Sequence, residues 1–195
     1  MPSEDLVREQ VGQVLEQQPR SVGRLRICFS RNGMTITHGE YLDTSESAFL
    51  TFSPHTSKAL GAQHKEFPYD SHFEIVDEAM SQGFDDAMIF NSRNNLTETA
   101  LSNVALYLNQ EWVTPPIGAG LLPGVMRSIA IERCGVAVRE IHISEVAHVT
   151  AAVLLNSLKI AQPVEQIGEM RLTELDRALQ LCDEIRRNVQ FFSVG

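Results

Sequence analysis

The stretch "NNLTETALSNVALYLN", Asn94 to Asn109, places one carboxylate, Glu98, between a polar turn and the strand-like run "VALYL". A surface turn accommodates a glutamate readily, so a solvated side chain is one interpretation of Glu98. The other interpretation is a functional acid at the mouth of a sheet. The segments on either side of the stretch are needed to distinguish the two.

Short apolar runs on both sides predict a mostly antiparallel sheet. The runs "DAMIFN", "VALYLN" and "EWVTPP" are separated by the turn sequences "SRNN" and "NQ", which is typical of a meander. Upstream, "RLRICFS" and "MTITH" flank Arg31-Asn32-Gly33, a hairpin turn in which Asn-Gly is expected to supply positive φ angles. Further strands are predicted for "AFLTFS", "VAVREIHI" and "AAVLLNS", and an edge element for "PVEQIG".

Apolar residues three or four positions apart predict four helices. The first runs from Glu4 to Gln17, and the third follows the loop "GAGLLPG" and ends at Gly135. Together with the strands, they predict an α+β chain whose helices pack on a mostly antiparallel sheet. The expected domains are a helix and linker in residues 1–23 and one large domain in residues 24–195.

The second and fourth predicted helices have defined inward faces. The second begins at Asp70 or Ser71 and ends at Gly83. Four of its residues are expected to point inward: Phe73, Val76, Ala79 and Met80. The fourth begins after the N-cap Thr173 and ends near Phe191. Five residues share its apolar face: Leu175, Leu179, Cys182, Ile185 and Val189.

The composition limits the kinds of partner. The chain has 195 residues, 43% of them hydrophobic, which is enough to bury a sizeable core. Its formal net charge is -9 and it has no long run of Lys or Arg, so neither nucleic acid nor an anionic membrane is an expected partner. No apolar run approaches a membrane span, and the first residues lack the layout of a signal peptide, so we expect a soluble, cytoplasmic protein.

Cysteines and histidines form no recognisable site in the sequence. Cys28, Cys134 and Cys182 are far apart and without a CxxC pair, so reduced core thiols are expected. The six histidines show neither HxxxH nor HExxH spacing, so no metal site is predicted. A hydrolase is not indicated either, because the sequence has no GxSxG motif.

The loop "GAGLLPG" precedes a helix start, where the backbone N–H groups of Val125 and Met126 are suited to hold a phosphate. Taken alone, a Gly-Pro helix start is more often only a turn. An irregular stretch upstream contains Lys58 and Lys65. A phosphate loop, a lysine and the isolated acid Glu98 together suggest pyridoxal phosphate, since such sites use a lysine for attachment and an acid beside the pyridine nitrogen.

From roughly Arg24 to Val164 the sequence contains, in order, the elements "T-E-x-x-x-S-N", "V-T-P-P", "L-L-P-G-x-x-R" and "N-S". This series resembles the large domain of class IV aminotransferases, the fold-type IV pyridoxal phosphate enzymes. The resemblance implies a mostly antiparallel sheet or pseudobarrel with packed helices, and pyridoxal 5'-phosphate as cofactor. It also implies a small-molecule amino substrate and a homodimer.

The resemblance further implies two residues that act on the cofactor ring. Lys65 corresponds to the Schiff-base lysine, because its separation from Glu98 looks like the spacing in the family, and Tyr69 would lie near it. Lys58 is the rival lysine. Glu98 corresponds to the partner of the pyridine nitrogen.

The remaining residues implied by the resemblance surround the ring and the phosphate. Leu122 would lie against the cofactor ring. The amides of Val125 and Met126, with Asn156 and Ser157, would receive the phosphate. The family commonly has threonine at the position of Met126, so a hydroxyl contact to phosphate is expected to be lost while the backbone contact remains.

Within the family, "TETALSNVALYL", "WVTPPIGAGLLPG" and "RLRICFSRNGMTITHGE" look most like aminodeoxychorismate lyases, which form 4-aminobenzoate and pyruvate from aminodeoxychorismate in folate biosynthesis. Branched-chain and D-amino-acid transaminases share the core motifs and are the alternatives.

Family members carry a small N-terminal domain before the position of Arg24, and that domain is expected to be missing here. A truncated, non-catalytic member that acts as a binding or assembly module is therefore a further alternative.

Overall fold

The computed structural model describes residues 2–41, 46–56 and 70–189. Contacts divide the chain into two compact units. The described residues up to 41 belong to the first unit, and those from 46 to 189 belong to the second. In this part of the chain, no helix combines the length and the apolar content that a membrane crossing requires.

The first unit consists of a helix and a β-hairpin. Helix α1 (Glu4–Gln17) starts after Ser3, whose hydroxyl accepts a hydrogen bond from the N–H of Leu6 at 3.4 Å. Strands β1 (Gly23–Ser30) and β2 (Gly33–Glu40) pair in antiparallel register. Both the helix and the hairpin confirm the prediction from the sequence.

The hairpin turn departs from the prediction in one respect. Ser30 pairs with Gly33, so the connection is the two-residue segment Arg31-Asn32. Gly33 has a φ of 129°, but Asn32 has no positive φ. The N–H of Asn32 instead donates to the hydroxyl of Ser30 at 3.2 Å, and this side-chain bond holds the turn. The expectation of a positive φ at the asparagine is therefore wrong.

His38 ties the hairpin to the helix. Its ring is buried, and its Nδ1 lies 2.9 Å from the carbonyl oxygen of Gln18, directly after α1. A Cβ on Gly23 would lie 1.9 Å from Nε2 of the same ring, so the close packing requires glycine there. The hairpin thus belongs with α1. The boundary between the compact units falls between residues 41 and 46. The domain boundary expected from the sequence, between residues 23 and 24, stays a prediction.

The second unit contains the remaining strands and helices. The strands are β3 (Ala48–Thr56), β4 (Asp86–Phe90), β5 (Leu96–Thr99), β6 (Asn103–Leu108), β7 (Glu111–Thr114), β8 (Ala137–Val138), β9 (Ala151–Asn156), β10 (Ile160–Ile167) and β11 (Met170–Arg171). The helices are α2 (Asp70–Ser81), α3 (Val125–Arg133) and α4 (Leu175–Asn188), with short 3-10 helices at Ile117–Ala119 and Ile143–His148.

The strands form one mixed sheet with the order β5-β4-β3-β10-β9-β6-β7-β8, and β11 pairs with β10. Among the described strands most pairings are antiparallel, and the parallel ones are β3 with β4, β3 with β10, and β7 with β8. Helices packed on a mostly antiparallel sheet confirm the predicted fold class. The curled sheet is the half-barrel expected from the sequence.

Two strand predictions were wrong. β10, which contains all of "PVEQIG" except its final glycine, is not an edge element but lies between β3 and β9. Of the predicted strand "VAVREIHI", only Ala137–Val138 pairs with β7. The chain then leaves that edge, because Ile141 accepts a hydrogen bond from the N–H of Leu96 at 2.8 Å. Both errors concern pairing partners that are distant in the sequence.

Both faces of the sheet are buried. In β6, Val104, Leu106 and Leu108 belong to one hydrophobic cluster, whereas Ala105 and Tyr107 belong to the other. Helices α3 and α4 cover the second cluster with Met126, Ala130, Ala178, Leu181, Cys182 and Ile185. Because both faces are covered, the strand is a continuous apolar run and does not alternate with polar residues.

The inward faces of two helices differ from the prediction. In α2 the buried side chains are Ile75, Val76 and Ala79. Phe73 and Met80, predicted to point inward, are 49% and 63% exposed. In α4 the buried side chains are Ala178, Leu181, Cys182 and Ile185. Leu179 is exposed, and the N-cap is Glu174, not Thr173. Each position on a helix turns the side chain by about 100°, so a small error in phase exposes a residue predicted to be buried.

Candidate active site

Glu98 lies on β5 and is buried, with 6% of its surface exposed. Its Oε2 accepts two hydrogen bonds, from Nδ2 of Asn103 at 3.2 Å and from the backbone N–H of Leu122 at 3.1 Å. A carboxylate is stable in a protein interior only when such donors replace water. The burial excludes the interpretation of Glu98 as a solvated residue of a surface turn.

Asn103, the first residue of β6, connects Glu98 to the loop before α3. Its Nδ2 also donates to the carbonyl oxygen of Leu122 at 2.9 Å. A Cβ on Gly124 would lie 2.0 Å from Oδ1 of Asn103, so the loop approaches this closely only with glycine at that position. No role was predicted for Asn103 from the sequence, although the element "T-E-x-x-x-S-N" contains it.

The start of α3 is an open helix N-terminus. Gly124 is the N-cap, with φ -68° and ψ 141°, and among the described residues no side-chain hydrogen bond caps the helix. The first helical hydrogen bond runs from the N–H of Ser128 to the carbonyl of Gly124 at 3.0 Å. The N–H groups of Val125 and Met126 precede that bond and have no acceptor within the helix. The structure thus confirms a helix start after "GAGLLPG", and the binding of an anion by these N–H groups stays a prediction.

Asn156 ends β9, beside the start of β6. Its Nδ2 donates to the hydroxyl oxygen of Ser102 at 2.8 Å, and its Oδ1 accepts backbone N–H groups of the turn that follows. Ser157 in that turn is exposed. The structure thus brings Asn156 to the same end of the sheet as Asn103. Contact of Asn156 and Ser157 with a phosphate stays a prediction.

Arg127 joins two of the sequence motifs, "V-T-P-P" and "L-L-P-G-x-x-R". It is 4% exposed, and its Nη2 donates to the carbonyl oxygen of Pro115 at 2.6 Å. Burial lowers the pKa of Arg127. Within the described ranges its Nε has no hydrogen-bond partner. The third residue of α3 therefore brings a buried cation to the end of the helix where an anion is predicted.

The predicted lysines near the cofactor lie outside the described residues. Lys58, Lys65 and Tyr69 fall between residues 57 and 69, so their roles stay predictions. Lys159 is described, and its Nζ donates to Oε1 of Gln162 at 2.9 Å. Of the predicted site, the structure brings together Glu98, the backbone of Leu122, the start of α3 and the end of β9.

Comparison with known families agrees with this arrangement of motifs. The family model described as amino-transferase class IV matches residues 1–167. The match extends over the first compact unit and most of the second. The chain belongs to the class IV aminotransferase family.

Individual relatives include both lyases and transaminases. A Schizosaccharomyces pombe protein provisionally named aminodeoxychorismate lyase is 38% identical over 47 residues, which are 24% of this chain and 20% of that protein. A Legionella pneumophila structure provisionally named 4-amino-4-deoxychorismate lyase has a TM-score of 0.82 at 20% identity, covering 94% of this chain and 79% of that one. The branched-chain amino acid aminotransferase from Thermobaculum terrenum in its PLP-form has a TM-score of 0.80 at 19% identity, covering 96% and 72% of the two chains. The two structural likenesses show a shared fold, and the chain spans only a fifth of the length of the S. pombe relative.

Proposed function

We propose that this chain is a pyridoxal 5'-phosphate-dependent enzyme with aminodeoxychorismate lyase-like activity. It would form 4-aminobenzoate and pyruvate from aminodeoxychorismate, as a cytoplasmic homodimer in folate biosynthesis. The observation that carries the proposal is the buried carboxylate of Glu98, held by Asn103 and Leu122 near the open start of α3. Membership of the class IV family supports the cofactor, and the partial match to the S. pombe relative supports the lyase.

Glu98 would face the pyridine nitrogen of the cofactor. Because a carboxylate favours the protonated form of an adjacent base, Glu98 would hold a proton on that nitrogen. When bound, pyridoxal phosphate supplies an electron sink for the substrate carbon that loses its proton. The N–H donors of Asn103 and Leu122 fix the orientation of the carboxylate in advance, so no reorganisation is needed on binding.

The start of α3 would hold the phosphate. The N–H groups of Val125 and Met126 point out of the helix end, where the helix dipole favours an anion. Gly124 has no side chain to keep the phosphate away from the backbone. Arg127, buried and positively charged, adds attraction at the same end of the helix. These described residues fit the cofactor.

Lys65 is proposed to attach the cofactor covalently. Once released by the substrate amine, its own amine would take the proton from the substrate carbon. Tyr69 is proposed to lie near it. The choice of Lys65 over Lys58 depends on the spacing to Glu98 in the sequence.

A transaminase is the second candidate, because the fold is equally similar to the T. terrenum aminotransferase. The deciding assay measures pyruvate release from aminodeoxychorismate beside amino-group transfer from D-alanine and from branched-chain amino acids. Pyruvate release alone is expected. Amino-group transfer alone would identify a transaminase, and no turnover of any substrate by protein with bound cofactor would favour a non-catalytic binding module.

A further inference from the structure

Asp86, the first residue of β4, is a buried charged side chain with no role in the proposed chemistry. It is 3% exposed. Its Oδ1 accepts hydrogen bonds from the N–H groups of Ala87 at 2.7 Å and Ala100 at 2.9 Å. Its Oδ2 accepts from the hydroxyl of Thr99 at 2.7 Å and the N–H of Leu101 at 3.2 Å. Burial raises the pKa of Asp86, and these four hydrogen bonds oppose the rise.

Three of the four donors belong to one turn, residues 99–102, which connects β5 to β6. Within this turn the N–H of Thr99 donates to the carbonyl of Ser102 at 2.8 Å, and the N–H of Ser102 donates to the hydroxyl of Thr99 at 3.1 Å. A buried backbone N–H such as that of Ala100 needs an acceptor, and the hydrogen bonds within the turn supply none to Ala100 or to Leu101, which is itself exposed. The carboxylate of Asp86 accepts from both N–H groups, and the N–H of Ala100 also donates to the carbonyl of Ala87 at 3.2 Å. Together with the bond from the hydroxyl of Thr99, the carboxylate makes three contacts to the turn and holds it in this conformation.

The turn of residues 99–102 also sets the positions of two side chains of the site, those of Asn156 and Asn103. The hydroxyl oxygen of Ser102, at the end of the turn, accepts the hydrogen bond from Asn156. Asn103, the next residue, donates to Glu98 and to the carbonyl of Leu122. A shift of the turn would therefore move the partners of both Asn156 and Glu98.

We propose that Asp86 is a positioning residue: its carboxylate fixes the turn of residues 99–102, so that Ser102 orients Asn156 and Asn103 orients Glu98. The value of this for catalysis rests on the proposed function. The positioning itself is a property of the protein without cofactor, and it can be tested there.

The test compares Asp86→Asn with Asp85→Asn. The first variant keeps the shape but turns one acceptor oxygen into an NH2 group that faces hydrogen-bond donors. Asp85 is the matched control, because its Oδ2 also accepts a backbone N–H, that of Phe49 at 2.8 Å, but has no hydrogen bond to the turn. NMR of the protein without cofactor should show shifted side-chain amide signals of Asn103 and Asn156 in Asp86→Asn only. Hydrogen exchange at Ala100 and Leu101 should be faster by about tenfold or more.

A residue that only stabilises the fold would lower stability without moving those side-chain amide signals. Folded Asp86→Asn with unchanged signals and unchanged exchange would therefore overturn the proposal. If Asp86→Asn does not fold, Asp86→Glu is the second variant, because it keeps the carboxylate and moves it by the length of one methylene group. Shifted signals of Asn103 and Asn156 are expected in Asp86→Glu, and wild-type signals there would overturn the proposal.

Binding of pyridoxal phosphate gives the functional readout, measured by its absorbance during titration. We expect affinity about tenfold weaker in Asp86→Asn than in wild type, and unchanged in Asp85→Asn. Equal affinity in all three proteins would overturn the link from Asp86 to the cofactor site. Wild-type protein that binds no pyridoxal phosphate would contradict the proposed function, while the NMR comparison would still decide the positioning.

Discussion

Glu98 and Glu174 illustrate two ways in which this chain holds a carboxylate. Glu174 is bound by the hydroxyl of Thr150 and by Arg177, and the Thr150 bond, followed by the bond to Arg177, lowers its pKa. Glu98 is buried and has an amide and a backbone N–H as donors to Oε2. The first arrangement neutralises the acid with a cation. The second fixes the orientation of a buried carboxylate through an amide and a backbone N–H, as the proposed pairing with the cofactor ring would require.

Glu98→Gln is expected to separate folding from catalysis. Glutamine has the same shape and can still accept from Asn103 and Leu122, so the free energy of unfolding should fall by no more than about 1 kcal/mol. Turnover should fall on the order of 100-fold or more, because the ring nitrogen loses its charged partner. Urea unfolding and pyruvate release measure the two effects.

Glu174→Gln is the matched control for that experiment. It removes a carboxylate that is also hydrogen-bonded but lies at the start of α4, and turnover should stay at the wild-type level. Wild-type turnover in Glu98→Gln would contradict the assignment of Glu98 as the partner of the ring nitrogen.

Lys65 is expected to be the residue that carries the cofactor. Borohydride reduction of protein saturated with pyridoxal phosphate, followed by peptide mapping, should label Lys65. Lys159 serves as an internal control, since its amine donates to Gln162 and should stay unlabelled. A label on Lys58 or Lys159, or no label at all, would contradict the assignment.

The role of Glu98 at the cofactor was predicted from the sequence and stays a prediction, whereas the residues that hold its carboxylate were not predicted. Glu98 stands in a short local pattern, "TETALSN", whose order relative to neighbouring motifs is informative. The N–H of Leu122 donates to Glu98, and N–H groups of the turn after β5 donate to Asp86. Both sets of hydrogen bonds connect positions far apart in the chain. Such contacts depend on the strand order, which a local pattern does not contain.

For the helices and strands too, features that depend on the local sequence were predicted better than features that depend on contacts distant in the chain. The extents of α1 and β9 follow from capping and apolar runs, and both were predicted closely. The central position of β10 was not, because its parallel partner β3 lies more than 100 residues earlier. The apolar faces of α2 and α4 were predicted only in part: Val76, Ala79, Cys182 and Ile185 are buried as expected, but Phe73, Met80 and Leu179 are exposed. Periodicity indicates an apolar stripe but not which neighbour it meets.

The start of α3 is expected to tolerate no side chain at Gly124. Its φ of -68° is allowed for alanine, so the effect of Gly124→Ala comes from the clash of the new Cβ with Oδ1 of Asn103. We expect a loss of about 1–3 kcal/mol in the free energy of unfolding. Affinity for pyridoxal phosphate should also fall by about tenfold or more, because the displaced Asn103 is a partner of Glu98.

Gly118→Ala is the control for that substitution. It lies in the preceding loop, and a Cβ there would meet no atom within 4 Å. Its stability and cofactor affinity should match the wild type. Equal stability and affinity in Gly124→Ala would show that the close packing of this loop against Asn103 is not needed for the site.

The first compact unit contains α1 and the hairpin of β1 and β2. The hairpin of β1 and β2 pairs only with itself among the described strands, and His38 ties it to α1. A hairpin signal near the start of a predicted large domain gives no information on which neighbour it packs against. The family match from residue 1 places this first unit inside the region shared with class IV aminotransferases.

The hairpin also presents an apolar face that bears on the predicted homodimer. Leu25, Ile27 and Phe29 lie on one face of β1, because alternate residues of a strand share a face. Leu25 and Phe29 are 38% and 49% exposed. Exposed apolar side chains next to each other on a strand are typical of protein interfaces. This face is therefore a candidate contact between two copies of the chain.

We expect the protein to be a homodimer, with a mass by light scattering of twice the chain mass of 21.7 kDa. Phe29→Ser should raise the dissociation constant of the dimer by about tenfold or more, because truncating a central aromatic residue removes much of the binding energy of an interface. Cys28→Ser is the matched control, since the next residue of β1 points to the opposite face and should leave the constant unchanged. A wild-type monomer at high concentration would contradict the dimer. A dimer unaffected by Phe29→Ser would place the contact elsewhere, because the same loss of apolar area inside an interface cannot leave its affinity intact.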